Sequence, residues 1–156
     1  DCLLSRGLGD VYKRQEVVSG CTCYTPNAAE AMQLTGTDDP VHAARALAEH
    51  VPVVIVTCGG EGIVGADSRT GEQVQVPAVP ITPVNTTGAG DATLAGLAWT
   101  WGWDVPLVRK LTVAALVGAI VTSRAHGTAD PLTVADLFSW VLRDPGRLGF
   151  LTDLLG

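Results

Sequence analysis

The chain has 156 residues, of which 47% are hydrophobic and 17% charged, which is the length and composition of one globular domain with a substantial core. Its net charge is -6 and its 10 Lys and Arg residues are widely spread, which excludes a nucleic-acid-binding surface and an anionic-membrane surface. The most apolar run, residues 111–121, is shorter than the roughly 20 residues that a bilayer span needs and predicts a buried helix.

The first fifteen residues carry no periodic pattern, and Arg6 and Gly7 interrupt the apolar core that a secretory signal would need. This stretch resembles translated adapter sequence of the kind that contaminates assembled metagenomic reads. We therefore expect residues 1–15 to be a non-native leader and exclude them from the fold. The four cysteines show neither C-x-x-C pairing nor metal-ligand spacing, so we expect reduced thiols in a cytoplasmic protein.

A short strand over residues 16–24 is predicted from its alternating apolar positions. A helix follows, because Asn27 is a suitable N-cap, Glu30 lies three residues later as in a capping box, and Gly36 is a C-terminal stop. On this interpretation Asn27 and Glu30 cap a helix and need no further role. A second helix begins at Asp39.

Residues 53–57 form a continuous β-branched run, which is typical of a strand buried on both faces of a parallel sheet. The glycine-rich residues 58–62 then turn the chain tightly into a return strand over residues 63–66, and after a turn at residues 68–72 another strand follows at residues 73–76. Glycine turns after a buried strand often serve geometry alone, but open α/β sheets bind ligands at strand ends. Three residues at this strand end are therefore candidates for nucleotide contacts: Thr57, Gly59 and Gly62.

Residues 84–96 predict a loop that opens a helix near Ala89. Gly88 and Gly90 remove side chains where backbone N–H groups must face a ligand closely, and the first helical turn leaves N–H groups without partners. The positive end of the helix dipole adds to these donors. The stretch therefore predicts a cradle for a phosphate.

Asp91 places a carboxylate beside this cradle, where it would repel a bound phosphate. A general base beside a transferring phosphoryl group is one role that explains such a carboxylate. The alternative is that Gly-Ala-Gly-Asp is only a tight turn, in which Asp91 stabilises the start of the helix through the dipole.

Helices are predicted for the rest of the chain. The helix after the cradle extends to about residue 103, and Asp104 with Pro106 begins a long helix to about residue 124. After a break at residues 127–131, Thr133 caps an amphipathic helix, and a short helix follows residue 144.

Three motifs in this order resemble the ribokinase-like, or PfkB, family of carbohydrate kinases. Residues 25–30 are similar to the family's Asn-x-x-Glu motif, residues 57–62 to its nucleotide loop, and residues 85–91 to its C-terminal signature. The resemblance covers roughly residues 24–142. It implies a three-layer α/β/α ribokinase-like fold, of which residues 16–156 would be the C-terminal portion only. It also implies ATP as the donor, Mg2+, and transfer of the terminal phosphoryl group to a hydroxyl of a sugar or sugar phosphate.

The resemblance also implies roles for individual residues. Asp91 would take the hydroxyl proton while backbone N–H groups hold the developing phosphate charge. Those N–H groups would belong to Gly88, Ala89 and Gly90. Asn27 and Glu30 would organise Mg2+ and its waters around the phosphates. The cofactor-binding residues of the nucleotide loop would be Thr57, Gly59, Gly60 and Gly62.

Within the family, residues 83–97 and Gly127-Thr128 are most similar to the 1-phosphofructokinase and tagatose-6-phosphate kinase branch. A 1-phosphofructokinase-like substrate is therefore expected. Asn85 stands where many family members have an Asp that helps to bind a monovalent cation, so we expect a weak response to potassium. Thr93 replaces a frequent aromatic residue.

Family members carry an N-terminal half with sugar-contacting residues and a β lid, and this chain matches the plan from near its middle onward. We therefore expect a fragment that is inactive alone. A homodimer is one possible state of the full-length protein. Two other functions stay open: a non-catalytic nucleotide-binding module, and a PfkB-family kinase for another sugar or a nucleoside. Asp91 favours catalysis, because a carboxylate beside phosphate does not help a simple binder.

Overall fold

The computed structural model describes residues 20–155. The chain divides into two compact units, whose bounds are Asp1–Ala78 with Val105–Leu111 for the first, and Val79–Asp104 with Thr112–Gly156 for the second. The predicted leader at residues 1–15, and residues 16–19 of the predicted first strand, lie outside the described residues.

In residues 20–78, the first unit contains four strands and two helices in the order expected from the sequence, but the first strand is shorter than predicted because residues 20–22 are not part of it. These elements are β1 (Cys23–Tyr24), α1 (Ala28–Thr35), α2 (Pro40–Leu47), β2 (Val53–Thr57), β3 (Ile63–Asp67) and β4 (Glu72–Val76). A single 3-10 turn, Gly59–Glu61, connects β2 to β3.

The sheet of the first unit has the strand order β1-β2-β3-β4. Strand β2 pairs in parallel with β1, but β2 with β3 and β3 with β4 are antiparallel. Strand β3 thus returns along β2 as expected, because a connection as short as residues 58–62 can join only antiparallel neighbours, and the parallel neighbour of β2 is β1. The apolar run of β2 reflects burial on both faces, since its first four residues are buried.

Helices α1 and α2 supply the core on one face of this sheet. Small side chains let the helices approach closely, and Leu47 of α2 packs in the same cluster as Val54 and Val56 of β2. On β3, a Cβ placed on Gly65 would lie 2.6 Å from the Cδ1 atom of Leu111. Glycine at this position therefore allows the apolar side chain to lie directly on the strand.

The second unit is helical. Its helices are α3 (Ala89–Thr100), the part of α4 (Leu107–Thr122) from residue 112 onward, α5 (Val134–Val141), α6 (Pro145–Leu148) and α7 (Phe150–Leu155). Helices α3 and α4 end slightly earlier than the sequence predicts, which is the usual uncertainty of helix ends. In residues 20–155 we find no helix with the length and apolar character required to cross a bilayer.

Helices α3 and α4 cross at very short range through small residues. A Cβ on Gly96 would lie 3.0 Å from the Cα atom of Ala114. A Cβ on Gly118 would collide with the hydroxyl of Thr93, which itself donates to the carbonyl oxygen of Ala89 at 2.9 Å. This close packing accounts for a small residue at position 93 and fixes the first turn of α3 against α4.

Candidate active site

Gly88 is the N-cap of α3, and the structure requires glycine there. Its φ is 78°, in the left-handed region, and a Cβ built on it would lie 2.7 Å from the Cγ2 atom of Thr128. Other residues rarely adopt this conformation, so glycine is needed to turn the loop into the helix.

Gly90 is different, because neither its backbone nor its surroundings require glycine. Its φ is not in the left-handed region, the residue is exposed, and a Cβ there would meet no neighbouring atom of the described residues within 4 Å. Glycine inside a helix costs roughly 0.5–1 kcal/mol relative to alanine. Local stability therefore does not explain Gly90, whereas close approach of a ligand to the backbone would.

The backbone amides around Gly90 include donors without partners. The N–H of Ala89 donates to the carbonyl oxygen of Thr86 at 3.2 Å, and that of Ala92 donates to Gly88 at 2.9 Å. Within residues 20–155, the N–H groups of Gly90 and Asp91 have no acceptor. Two adjacent donors at the positive end of α3 are thus available to an anion.

Asp91 is the third residue of α3, and its carboxylate is exposed. Two other helices also carry an acidic third residue, Glu30 in α1 and Asp136 in α5, and both close a capping box with the N-cap residue. Helix α3 has no such side-chain cap, and the carboxylate of Asp91 makes no hydrogen bond or ion pair within the described part of the chain. If Asp91 stabilises the start of the helix, it can do so only through the helix dipole, because it forms no capping box. Its carboxylate is free to interact with a ligand.

Asn27 and Glu30 form the predicted capping box. The Oδ1 atom of Asn27 accepts from the N–H of Glu30 at 2.9 Å, and the Oε2 atom of Glu30 accepts from the N–H of Asn27 at 3.1 Å. These bonds confirm the structural role of both residues. The second carboxylate oxygen of Glu30 is not part of the box.

The nucleotide-loop candidates lie at the end of β2. The N–H of Thr57 donates to the carbonyl oxygen of Pro26 at 3.1 Å, and Asn27 and Thr57 form a parallel bridge. The sheet therefore brings Asn27 and Thr57 together, as expected for the adjacent carboxyl ends of parallel strands.

Three glycines of this loop differ in what they require. Gly62 is buried with φ of 109°, and a Cβ there would collide with the carbonyl oxygen of Val76, so packing alone accounts for it. Gly59 has φ of 56° and is exposed, and Gly60 is exposed with open space around it. Gly59 and Gly60 thus present accessible backbone at the end of β2.

The two groups of predicted site residues lie in different compact units: Asn27, Glu30 and residues 57–62 in the first, and residues 88–91 in the second.

In the described part of the chain, no three His, Cys, Asp or Glu side chains gather as a metal-binding cluster. Burial raises the pKa of Cys23 to about 12, so this thiol stays protonated and is a poor metal ligand or nucleophile.

Sequence reasoning missed one contributor to the loop before α3. Thr128, in the 3-10 turn Gly127–Ala129, packs against the Cα of Gly88, although it is 40 residues away in the chain. The neighbouring Gly127 is buried and has φ of 55°, a conformation that is common in tight turns. Nothing in the sequence predicts that this turn lies on residues 85–88.

Comparison with known proteins gives relatives of one family. The chain is 34% identical over 120 residues to the bifunctional protein HldE of Gluconacetobacter diazotrophicus, covering 71% of this chain and 24% of that protein. It is 28% identical over 122 residues to the pseudouridine kinase of Escherichia coli, covering 74% of this chain and 39% of that protein.

Among solved structures, the chain is similar to the fructokinase of Vibrio cholerae in its fructose-, ADP- and calcium-bound form. The TM-score is 0.68 at 27% identity, covering 81% of this chain and 43% of that chain. The likeness confirms the predicted α/β ribokinase-like fold. The chain spans less than half the length of each of these three proteins. Residues 7–134 match the sequence profile described as pfkB family carbohydrate kinase, so the chain belongs to the pfkB family of carbohydrate kinases.

Proposed function

We propose that the full-length protein is an ATP-dependent kinase that transfers the terminal phosphoryl group to a hydroxyl of a small acceptor. In this proposal, residues 88–91 supply the phosphate cradle and the catalytic base. Membership of the pfkB family supports the reaction class, and ADP in the fructokinase structure supports an adenine nucleotide. The observation that carries the proposal is the accessible backbone at Gly90 beside the unpaired carboxylate of Asp91.

The chemical step follows from these groups. The Asp91 carboxylate accepts the proton of the acceptor hydroxyl, and the resulting oxygen forms a bond to the terminal phosphorus. The bond from that phosphorus to the bridging oxygen breaks, and ADP leaves with the electron pair. The free N–H groups of Gly90 and Asp91 stabilise the negative charge on the phosphoryl oxygens. Because the N–H of Ala89 is bonded to Thr86, its expected part in the cradle would require a change in that bond.

Mg2+ fits the first unit through Glu30. Both the Oδ1 atom of Asn27 and one oxygen of Glu30 are used in the capping box, which leaves one carboxylate oxygen for the ion. Mg2+ is commonly held by one or two carboxylates together with waters and substrate phosphates, so Glu30 would hold it and Asn27 would fix the orientation of Glu30. When bound, Mg2+ would neutralise phosphate charge. Thr57, Gly59 and Gly60 keep their proposed role as nucleotide contacts.

For the acceptor we propose a sugar phosphate of the 1-phosphofructokinase type, on the strength of residues 83–97 and Gly127-Thr128. A nucleoside is the second candidate, which the likeness to pseudouridine kinase favours. ADP release by the full-length protein, measured with hexose phosphates, unphosphorylated sugars and nucleosides, discriminates between them. Nucleotide binding without turnover on any acceptor would instead favour a non-catalytic module.

The test of the catalytic assignment is Asp91→Asn in the full-length protein. We expect kcat to fall by about two to four orders of magnitude, the usual scale for loss of a general base, with little change in affinity for ATP. Asp104→Asn is the matched control, since it changes another exposed carboxylate and should leave kcat unchanged. Normal turnover by Asp91→Asn would remove Asp91 from the mechanism.

A further inference from the structure

The side-chain amide of Asn85 joins two segments of the second unit. Its Oδ1 atom accepts from the N–H of Thr87 at 3.0 Å, and its Nδ2 atom donates to the carbonyl oxygen of Ala125 at 3.2 Å. The first partner is only a donor and the second only an acceptor, so these two bonds fix which way the amide points. Asn85 is partly buried, and both of its side-chain hydrogen bonds are exposed to water.

Backbone contacts make the same connection. The N–H groups of Val84 and Asn85 both donate to the carbonyl oxygen of Thr122, at 2.9 and 3.0 Å. A Cβ on the buried Gly127 would lie 3.5 Å from the Nδ2 atom of Asn85 and 3.4 Å from the carbonyl oxygen of Thr87. Residues 84–88 therefore lie directly on residues 122–128, and the amide of Asn85 is within this contact.

This geometry does not fit a monovalent cation of the kind that many family members bind with an Asp at the position of Asn85. A cation requires oxygen atoms directed toward it, but here an N–H of Asn85 is directed at the carbonyl oxygen of Ala125. A carboxylate at position 85 would place a second, charged acceptor against that oxygen, and the two would repel each other unless a cation lay between them. The neutral amide makes the connection without one.

We propose that Asn85 is a positioning residue that holds the loop before α3 in place without a monovalent cation. Its amide fastens residues 85–88 to Ala125, and the loop in turn sets the direction of the first turn of α3. The consequence for phosphate binding rests on the proposed function, because it assumes that the N–H groups of Gly90 and Asp91 bind phosphate.

The test compares wild type, Asn85→Asp and Asn85→Ala of the full-length protein in potassium and in tetramethylammonium at matched ionic strength. Two quantities are measured, the Tm without ligand and the Kd for a non-hydrolysable ATP analogue, which carries the terminal phosphate that the N–H groups of Gly90 and Asp91 are proposed to bind. We expect wild type to give the same Tm in both salts and a Kd within about twofold. In tetramethylammonium both variants should have a lower Tm and bind the ATP analogue about five- to tenfold more weakly or worse, because Asn85→Asp loses the bond to Ala125 and Asn85→Ala loses the bonds to both Ala125 and Thr87.

Potassium should then restore Asn85→Asp, which can hold a cation between two oxygens, and should not restore Asn85→Ala. Gln75→Glu is the control, because it converts another exposed amide to a carboxylate on β4 and should respond equally in both salts. A merely structural role for Asn85 would lower the Tm of both variants equally in either salt.

Three results would overturn the proposal: wild type that is stabilised by potassium, an Asn85→Asp deficit that potassium does not reduce, or Asn85→Asp that equals wild type in both salts. If Asn85→Asp does not fold, two results test the proposal instead. Wild type should have the same Tm in both salts, and Asn85→Ala should have a lower Tm than wild type in both salts. Failure of wild type to bind the ATP analogue would contradict the proposed function, whereas the Tm comparison would still test the role of Asn85.

Discussion

Gly88 and Gly90 lie two residues apart and are glycines for different reasons. At Gly88 a side chain would strain the left-handed backbone and clash with Thr128, so glycine there stabilises the fold. At Gly90 the backbone is helical and the space beyond the Cα is empty of described residues. Glycine at position 90 therefore lowers the stability of the helix, and its one evident advantage is that the backbone stays accessible.

Gly90→Val should therefore reduce phosphate transfer without unfolding the protein. We expect turnover to fall by about two orders of magnitude or more, because the side chain blocks donors to the developing charge. The free energy of unfolding should change by less than about 1 kcal/mol, as for most exposed substitutions. Steady-state kinetics and urea unfolding on the same preparation measure both.

Gly88→Ala is the contrasting variant, and it should lose roughly 1–2 kcal/mol of stability because its φ is 78°. Normal turnover by Gly90→Val with a lower Tm would show that Gly90 is structural after all.

At the scale of elements, the hairpin of β3 and β4 is closed by a partly buried ion pair. The side chain of Asp67 is only 8% exposed and accepts hydrogen bonds from the Nε and Nη2 atoms of Arg69 at 3.0 and 2.7 Å. The hydrogen bonds from Arg69 lower the pKa of Asp67 below its ordinary value of 3.8. Such a carboxylate stabilises the fold only while it is ionised.

The direction of the pKa shift of Asp67 determines how the effect of Asp67→Asn depends on pH. Because the folded pKa is lowered, the contribution is fully present above the unfolded pKa and is lost as the pH falls through the folded one. At neutral pH we expect Asp67→Asn to be less stable by about 1–2 kcal/mol, a charged hydrogen bond reduced by the solvent exposure of Arg69. The difference from wild type should shrink below about pH 3.8. Chemical unfolding as a function of pH measures it, and a difference that grows on acidification would contradict the assignment.

At the scale of the whole molecule, the chain corresponds to only part of its relatives. It spans 24% of the HldE protein, 39% of the pseudouridine kinase and 43% of the fructokinase chain. Phosphoryl transfer depends chiefly on positioning, and a hydroxyl held in line with the phosphorus gains about 7–11 kcal/mol from proximity and orientation. The predicted base and phosphate cradle do not supply this free energy unless other residues bind the acceptor and orient its hydroxyl.

We therefore expect residues 16–156, expressed alone, to show no acceptor-dependent ADP release with any hexose phosphate or nucleoside. The full-length protein, assayed in parallel, is the positive control. Light scattering on the same sample checks that the loss of activity is not caused by aggregation. Robust turnover by a monodisperse sample of residues 16–156 would show that they hold the acceptor themselves.

The sequence by itself determined the elements whose causes are local. The capping box of Asn27 and Glu30, the buried run of β2 and the start of α3 at Gly88 follow from residue spacing within one or two turns, and the structure confirms them. The motif order also determined the family, because three short patterns in sequence are seldom found together by chance. Catalytic roles for Asp91 and the metal role of Glu30 stay predictions.

The tertiary structure decided what depends on distant residues. The contact of Thr128 with Gly88 and the bond from Asn85 to Ala125 join parts of the chain whose separation gives no periodic signal. It also separated the two glycines of the predicted cradle, because only the surroundings of a built Cβ show that Gly88 is in contact with Thr128 and that Gly90 has open space beside it. Such contacts arise when packing brings elements together, and no local propensity encodes them.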